Sequence, residues 1–227
     1  VRLGCLTLVF GLHWTFTQSG HGNFLFIESF ETPVVDSYEN SNGKWLNFGI
    51  NTPGQTGASG SRGNSFVGDS GLTWFVDSGN IDIVDDTEWA GATGRQSVNL
   101  VGWEPGSMYT DLSLQSGSHV LRFKLSNHIG ASSNNTTSVS LDGQSLSGMP
   151  FSTSSKVPIY DQIVVPFTVN LSGTHRIRFT ALTNDGGSVI DEVSLEFQGV
   201  PEPNSLILWG LAGGGSSLFR RGRQEVS

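Results

Sequence analysis

Ser118-His119-Val120-Leu121-Arg122-Phe123-Lys124-Leu125-Ser126 alternates strictly between two kinds of side chain. Successive residues of a strand point to opposite faces, so Leu121, Phe123 and Leu125 fall on one side and Val120, Arg122 and Lys124 on the other. An apolar face opposed to a charged one marks a strand that is covered on one side and wet on the other. The period recurs at 174–181, where His175, Ile177 and Phe179 are set against Arg176, Arg178 and Thr180. Residues 136–141, 163–169 and 188–197 supply further strands, and Gly, Ser, Thr and Asn punctuate the chain about every 8 to 12 residues. Asn42-Gly43 and Asp142-Gly143 are tight-turn dipeptides, because both central positions of a type I′ turn need positive φ. No long amphipathic helical period precedes residue 200. The expectation is an all-β fold, an antiparallel β-sandwich. Residues 49–71 are rich in glycine and small turn residues, and read as a long surface loop carrying one short strand near 65–67.

The sandwich occupies residues 23–199, long enough for one domain with a real core, since a domain of that size buries about 70% of its chain surface. The whole chain has a net charge of −8, and Arg2, Arg220, Arg221 and Arg223 lie in its ends, so the middle is more acidic than the whole. An acidic body without a basic stripe argues against nucleic acid and anionic membrane surfaces as partners.

Both ends have their own character. Arg2 precedes a mostly apolar run from Leu3 to Phe16, and Gly20 and Gly22 follow. Residues 1–22 resemble a secretory signal peptide, with a buried N-terminal strand or helix as the alternative. Its removal takes away Cys5, the one cysteine, leaving no disulfide, thiolate nucleophile or cysteine metal ligand. At the other end, Val200-Pro201-Glu202-Pro203 stops strand and helix alike. A hydrophobic helix is expected over 204–219, short against the roughly 20 residues of a full span and diluted by Gly213, Gly214 and Gly215. Arg220, Arg221 and Arg223 form the basic end, 220–227, which resists translocation. A short core helix with a frayed basic end is the alternative. This order of parts resembles the PEP-CTERM sorting signal of Gram-negative bacteria. The resemblance implies an exosortase partner, membrane attachment through the helix before processing, and export to the cell surface, outer envelope or extracellular matrix.

Trp45 and Trp74 lead into strands and are expected in the core. Trp89 and Trp103 sit among polar and turn residues, where an indole face stacks on a sugar ring while neighbouring polar groups bind hydroxyls. The same pair serves equally as core packing or loop anchors. For catalysis the sequence is poor. His119, His128 and His175 are isolated, and there is no nucleophile elbow and no His-Glu-x-x-His pair. Asp85, Asp86, Glu88 and Glu104 cluster in sequence, but such clusters are commonly solvated loops or cation sites, and a glycosidase is the less favoured reading. The expectation is a protein that is not an enzyme.

Phe30-Glu31, then Trp74 with 78–84, Gly94-Arg95-Gln96-Ser97-Val98-Asn99-Leu100, Pro105-Gly106-Ser107, and Val189-Ile190-Asp191-Glu192-Val193 resemble, in this order, the choice-of-anchor C family. That family looks related to plant cell-wall proteins with galactose-binding-like jelly rolls. The resemblance covers about residues 26–198. It implies a jelly roll with an extracellular role in binding polysaccharide, or a structural or adhesive module without a specific glycan. Asn99 stands where the family has Asp, and the Gln expected after Pro105-Gly106-Ser107 is replaced near Tyr109-Thr110. Candidate ligand contacts are therefore Trp89, Trp103, Glu104, Asn99 and Tyr109. The resemblance also implies a structural Ca²⁺ between Glu31 and Asp191, an ion that takes several hard oxygen ligands. The alternative there is that both carboxylates hydrogen-bond loops.

Overall fold

The computed structural model describes residues 23–35, 45–50 and 63–199, which form fourteen strands numbered in chain order. One sheet contains β1 (Asn23–Glu28), β2 (Trp45–Gly49), β5 (Asn80–Asp85), β6 (Gln96–Asn99), β8 (Gly117–Asn127), β12 (Asp161–Val169) and β14 (Ser188–Gly199). Its order is β12-β8-β14-β6-β5-β2, with β1 also on β14. The second contains β3 (Ser65–Val67), β4 (Thr73–Ser78), β7 (Ser107–Leu114), β9 (Asn135–Leu141), β10 (Gln144–Ser145), β11 (Phe151–Thr153) and β13 (Gly173–Ala181), in the order β10-β9-β13-β7-β4-β3 with β11 on β9. All ladders between named strands are antiparallel, and the chain passes from sheet to sheet at most connections after β3, the winding of a jelly roll. The signal-like leader, the Val200–Pro203 motif, the hydrophobic helix, the basic end and the Asn42-Gly43 turn all lie outside the described residues.

The alternation that opened the sequence holds. Leu121, Phe123 and Leu125 of β8 are fully buried, as are Ile177 and Phe179 of β13. Aromatic rings join the sheets, with Phe123 of the first edge-on to Phe179 of the second at 5.2 Å, and Trp74, in the same sheet as Phe179, lies 6.3 Å from it. Asp142 and Gly143 adopt φ of 51° and 82° in the tight turn between β9 and β10.

One buried carboxylate fixes the start of the domain. Glu28 Oε1 accepts the amide hydrogens of Phe30 and Asp69 at 3.1 Å, while Oε2 accepts Ser70 Oγ–H at 2.5 Å and Trp74 Nε1–H at 3.1 Å. Burial, with Asp69 beside it, pushes its pKa up to about 7. Glycine is required at 68, where a Cβ would stand 1.9 Å from Glu28 Oε2.

Register decides what reaches the outer face of the first sheet. Residues directly opposite across a ladder share a face, so Asn47, Asp82, Asn99 and Val189 form one row and Trp45, Val84 and Ser97 the next. Leu46, Phe48, Ile81 and Ile83, one residue out of phase, go to the core.

Candidate cleft on the outer face of the first sheet

Asp82, Asn99 and Val84 of those rows form the floor of a cleft of about 310 Å³, walled by Trp45, Trp89, Trp103 and His128. Asparagines set its shape. Asn80 Oδ1 accepts the amide hydrogens of Trp103 at 2.6 Å and Glu104 at 3.2 Å, so the 102–104 turn is tied to β5 and Trp103 is held at the rim. Asn99 donates through Nδ2 to the Gly186 carbonyl at 3.0 Å and accepts the Val101 amide hydrogen through Oδ1 at 3.1 Å, clamping loops on both sides. Gly102 passes so close that a Cβ would meet Asn47 Nδ2 and Asn80 Oδ1 at 2.6 Å.

Asp82 lies at the centre of the floor. Asn47 Nδ2 donates to its Oδ1 at 2.7 Å, and burial raises its pKa to about 6 because that one donor only partly opposes the cost of desolvation. His128 stands edge-on to Trp89 with ring centroids 4.8 Å apart, and its Nδ1 accepts the Gly130 amide hydrogen at 2.9 Å. That acceptor role assigns the proton of the neutral ring to Nε2. Burial lowers the His128 pKa against the opposing pull of Glu88 and Asp185.

The expected residues are distributed unevenly. Trp103 is open as expected, 67% exposed. Trp89 is corrected from an available face to a buried wall, 7% exposed, packed with Val84, Val157, Val189 and Tyr160 and donating Nε1–H to Ser97 Oγ at 3.1 Å. Trp45 is corrected in the opposite sense: expected in the core, it is 38% exposed and lines the cleft. Leu46 and Phe48 were the legible signal, because their inward direction turns Trp45 outward. Asn99 is in the lining, but Glu104 stands outside it with its amide tied to Asn80. Tyr109 belongs to the second sheet, where it stacks on Phe75 at 5.2 Å under the Arg176 guanidinium, 3.7 Å from the ring centre. Asp82 and His128 were missed. Asp82 was legible in the alternation of Asn80-Ile81-Asp82-Ile83-Val84, whereas His128 reaches the cleft through a loop that no local pattern reveals.

The acidic run after β5 is a turn held by ion pairs. Asp85 accepts the Thr87 amide hydrogen at 2.8 Å, and Arg95 Nη2 lies 3.1 Å from both Asp85 and Asp86. Glu31 and Asp191 grip one loop from two sides. Glu31 Oε1 accepts the amide hydrogens of Arg95 and Gln96 at 2.8 Å, and Asp191 Oδ2 accepts those of Ala92 at 2.7 Å and Thr93 at 3.0 Å. Burial first, and the Glu31 charge as a further cause, push the Asp191 pKa up to about 7. Among the described residues no group of three His, Cys, Asp or Glu side chains is placed to hold a metal ion.

No family model and no curated protein matches the chain. Among solved structures it is similar to a family 35 carbohydrate-binding module from Clostridium thermocellum, at 22% identity over 54% of this chain and 90% of that one, with a TM-score of 0.43. The CBM22-1 xylan-binding domain of Paenibacillus barcinonensis Xyn10C is similar at 11% identity over 79% and 97% of the two chains, TM-score 0.45. A CBM35 from Cellvibrio japonicus Abf62 is similar at 17% identity over 49% and 79%, TM-score 0.39.

Proposed function

We propose that this domain binds carbohydrate in the cleft, as the non-catalytic module of an exported surface or matrix protein. One observation carries the reading: two open indole faces, Trp45 and Trp103, flank a hydrogen-bonding floor centred on Asp82. A sugar ring has an apolar face for an indole and a hydroxyl edge for a carboxylate, and this combination offers both. The volume falls at the small end of the range for small-molecule sites, about 300–1,000 Å³. Asp85 and Asp86 are engaged by Arg95, which supports binding over hydrolysis. A glycan array with the wild type and the Trp45→Ala, Trp103→Ala double variant tests the reading. Binding that disappears in the variant is expected, and binding that survives overturns the assignment of the cleft. Silence from both proteins favours the rival, an adhesive module, for which exposed Phe24, Leu25 and Ile27 on β1 offer an apolar surface.

The address of the protein belongs to the same proposal. Pro-Glu-Pro, an apolar stretch and terminal arginines support sorting by an exosortase, and the apolar run after Arg2 supports export. Residues 199–227 fused to a secreted reporter are expected to hold it at the membrane or cause its processing. A reporter released uncut overturns the sorting role. A Ca²⁺ shared by Glu31 and Asp191 is also proposed, supported by the repulsion between these carboxylates that a cation relieves, in competition with the loop amides that now occupy their oxygens.

A further inference from the structure

We infer that the cleft selects a sugar bearing a free ammonium group, with Asp82 as its counter-charge and Trp45 and Trp103 as flanking π faces. The inference rests on the cleft being a carbohydrate site, and adds the charge class of the ligand.

Asp82 carries the argument. Asn47 Nδ2 is its one side-chain hydrogen-bond donor among the described residues, leaving Oδ2 without a protein partner at the floor of an open cleft. A desolvated carboxylate with unused lone pairs is costly, and a ligand that supplies donors offsets that cost. Among the described residues no lysine or arginine lines the cleft. Of the described cations, Arg95 lies on Asp85 and Asp86, and Lys156 Nζ donates to the Ala131 carbonyl. His128 is held toward its neutral form by burial.

Three ligand classes meet this site differently. An ammonium gives Asp82 a charge-assisted hydrogen bond, about twice as strong as a neutral one, and gains attraction from indole faces. A neutral hydroxyl gives the weaker bond. A uronate carboxylate brings like charge against Asp82 and finds, among the described lining residues, no guanidinium or ammonium to receive it. The expected preference for the amino sugar over its N-acetylated counterpart is about tenfold.

The test is calorimetric titration of the full chain near neutral pH with glucosamine hexamer, N-acetylglucosamine hexamer and galacturonic acid hexamer, in the wild type and in Asp82→Asn. Expected are tightest binding of the glucosamine oligomer, undetectable binding of the galacturonate, and an Asp82→Asn variant that folds normally but no longer prefers the amine. Three results overturn the inference and leave the carbohydrate site standing. They are equal or tighter binding of the acetylated or anionic oligomer, an amine preference that persists in Asp82→Asn, and failure of the glucosamine oligomer beside a neutral glycan that binds on the array. Absence of any glycan binding overturns both.

Discussion

Replacing Asp82 by asparagine should make the protein more stable near neutral pH, although it removes a hydrogen-bonding group from the proposed site. The carboxylate is part-buried, accepts one side-chain hydrogen bond, and has its pKa raised from 3.8 to about 6. A carboxylate whose folded pKa exceeds its unfolded one binds its proton more tightly in the native state. Its penalty is therefore absent below the unfolded value, grows as pH rises between the two, and is complete above the folded value. A shift of about two units at roughly 1.4 kcal/mol per unit gives about 3 kcal/mol as the upper bound at neutral pH. Asparagine carries no charge, keeps an oxygen for Asn47 Nδ2, and faces an open cleft with its amide. The variant should thus equal the wild type near pH 4 and exceed it by up to about 3 kcal/mol near pH 7, a Tm rise of at most roughly 6–12 °C for a chain of this size. Urea unfolding of both proteins across that range, followed by tryptophan fluorescence, measures the difference. A variant less stable near neutral pH, or a gain that does not change with pH, would refute the account of Asp82 as an under-compensated charge. A residue that costs stability and faces a cleft fits the common conflict between binding and stability.

Four further outcomes follow from the same geometry. Trp103→Ala should weaken glycan binding at least about tenfold and leave Tm within about 1 °C, because the side chain is 67% exposed; calorimetry and melting on one sample check both. Glu28→Gln should cost about 1–3 kcal/mol in thermal unfolding, since its amide nitrogen would face Trp74 Nε1–H and leave that donor unpaired, and an unchanged melting curve would contradict this. His119 is buried between Phe167 and Phe197 with its pKa lowered by burial, so stability is lost as pH falls below its unfolded value near 6.5; His119→Phe should flatten the stability profile between about pH 7 and pH 5, and an equally steep profile counts against the assignment. Added Ca²⁺ should raise Tm and EDTA lower it if Glu31 and Asp191 share the ion, and a Tm indifferent to both removes calcium from the proposal.

The strands were legible because their physics is local. Leu121, Phe123 and Leu125 declare an inward face through a two-residue period, and the structure buries all three. The site was only half legible. Trp103 is displayed by a turn whose polar composition marks it as exposed, and Asn99 lies in a motif quoted from the sequence for its resemblance. Trp89 has equally polar neighbours in sequence, but Val157 and Tyr160, some seventy residues further on, cover it from outside the sheet. No window around Trp89 contains that information. Trp45 was misplaced for a different reason: its bulk suggested the core, while the phase of Leu46 and Phe48 pointed it outward. Tyr109 was joined to the site through a motif shared along the chain, and strand order separates it, since β7 belongs to the opposite sheet.

The most direct test of the cleft uses the indole hydrogens themselves. In a ¹⁵N-labelled sample titrated with a bound glycan, the Nε1–H signals of Trp45 and Trp103 should move together and saturate. Trp74, whose Nε1–H is held by buried Glu28, should stay fixed. Shifts confined to the Phe75–Tyr109 face of the second sheet, with Trp45 and Trp103 unmoved, would contradict the account.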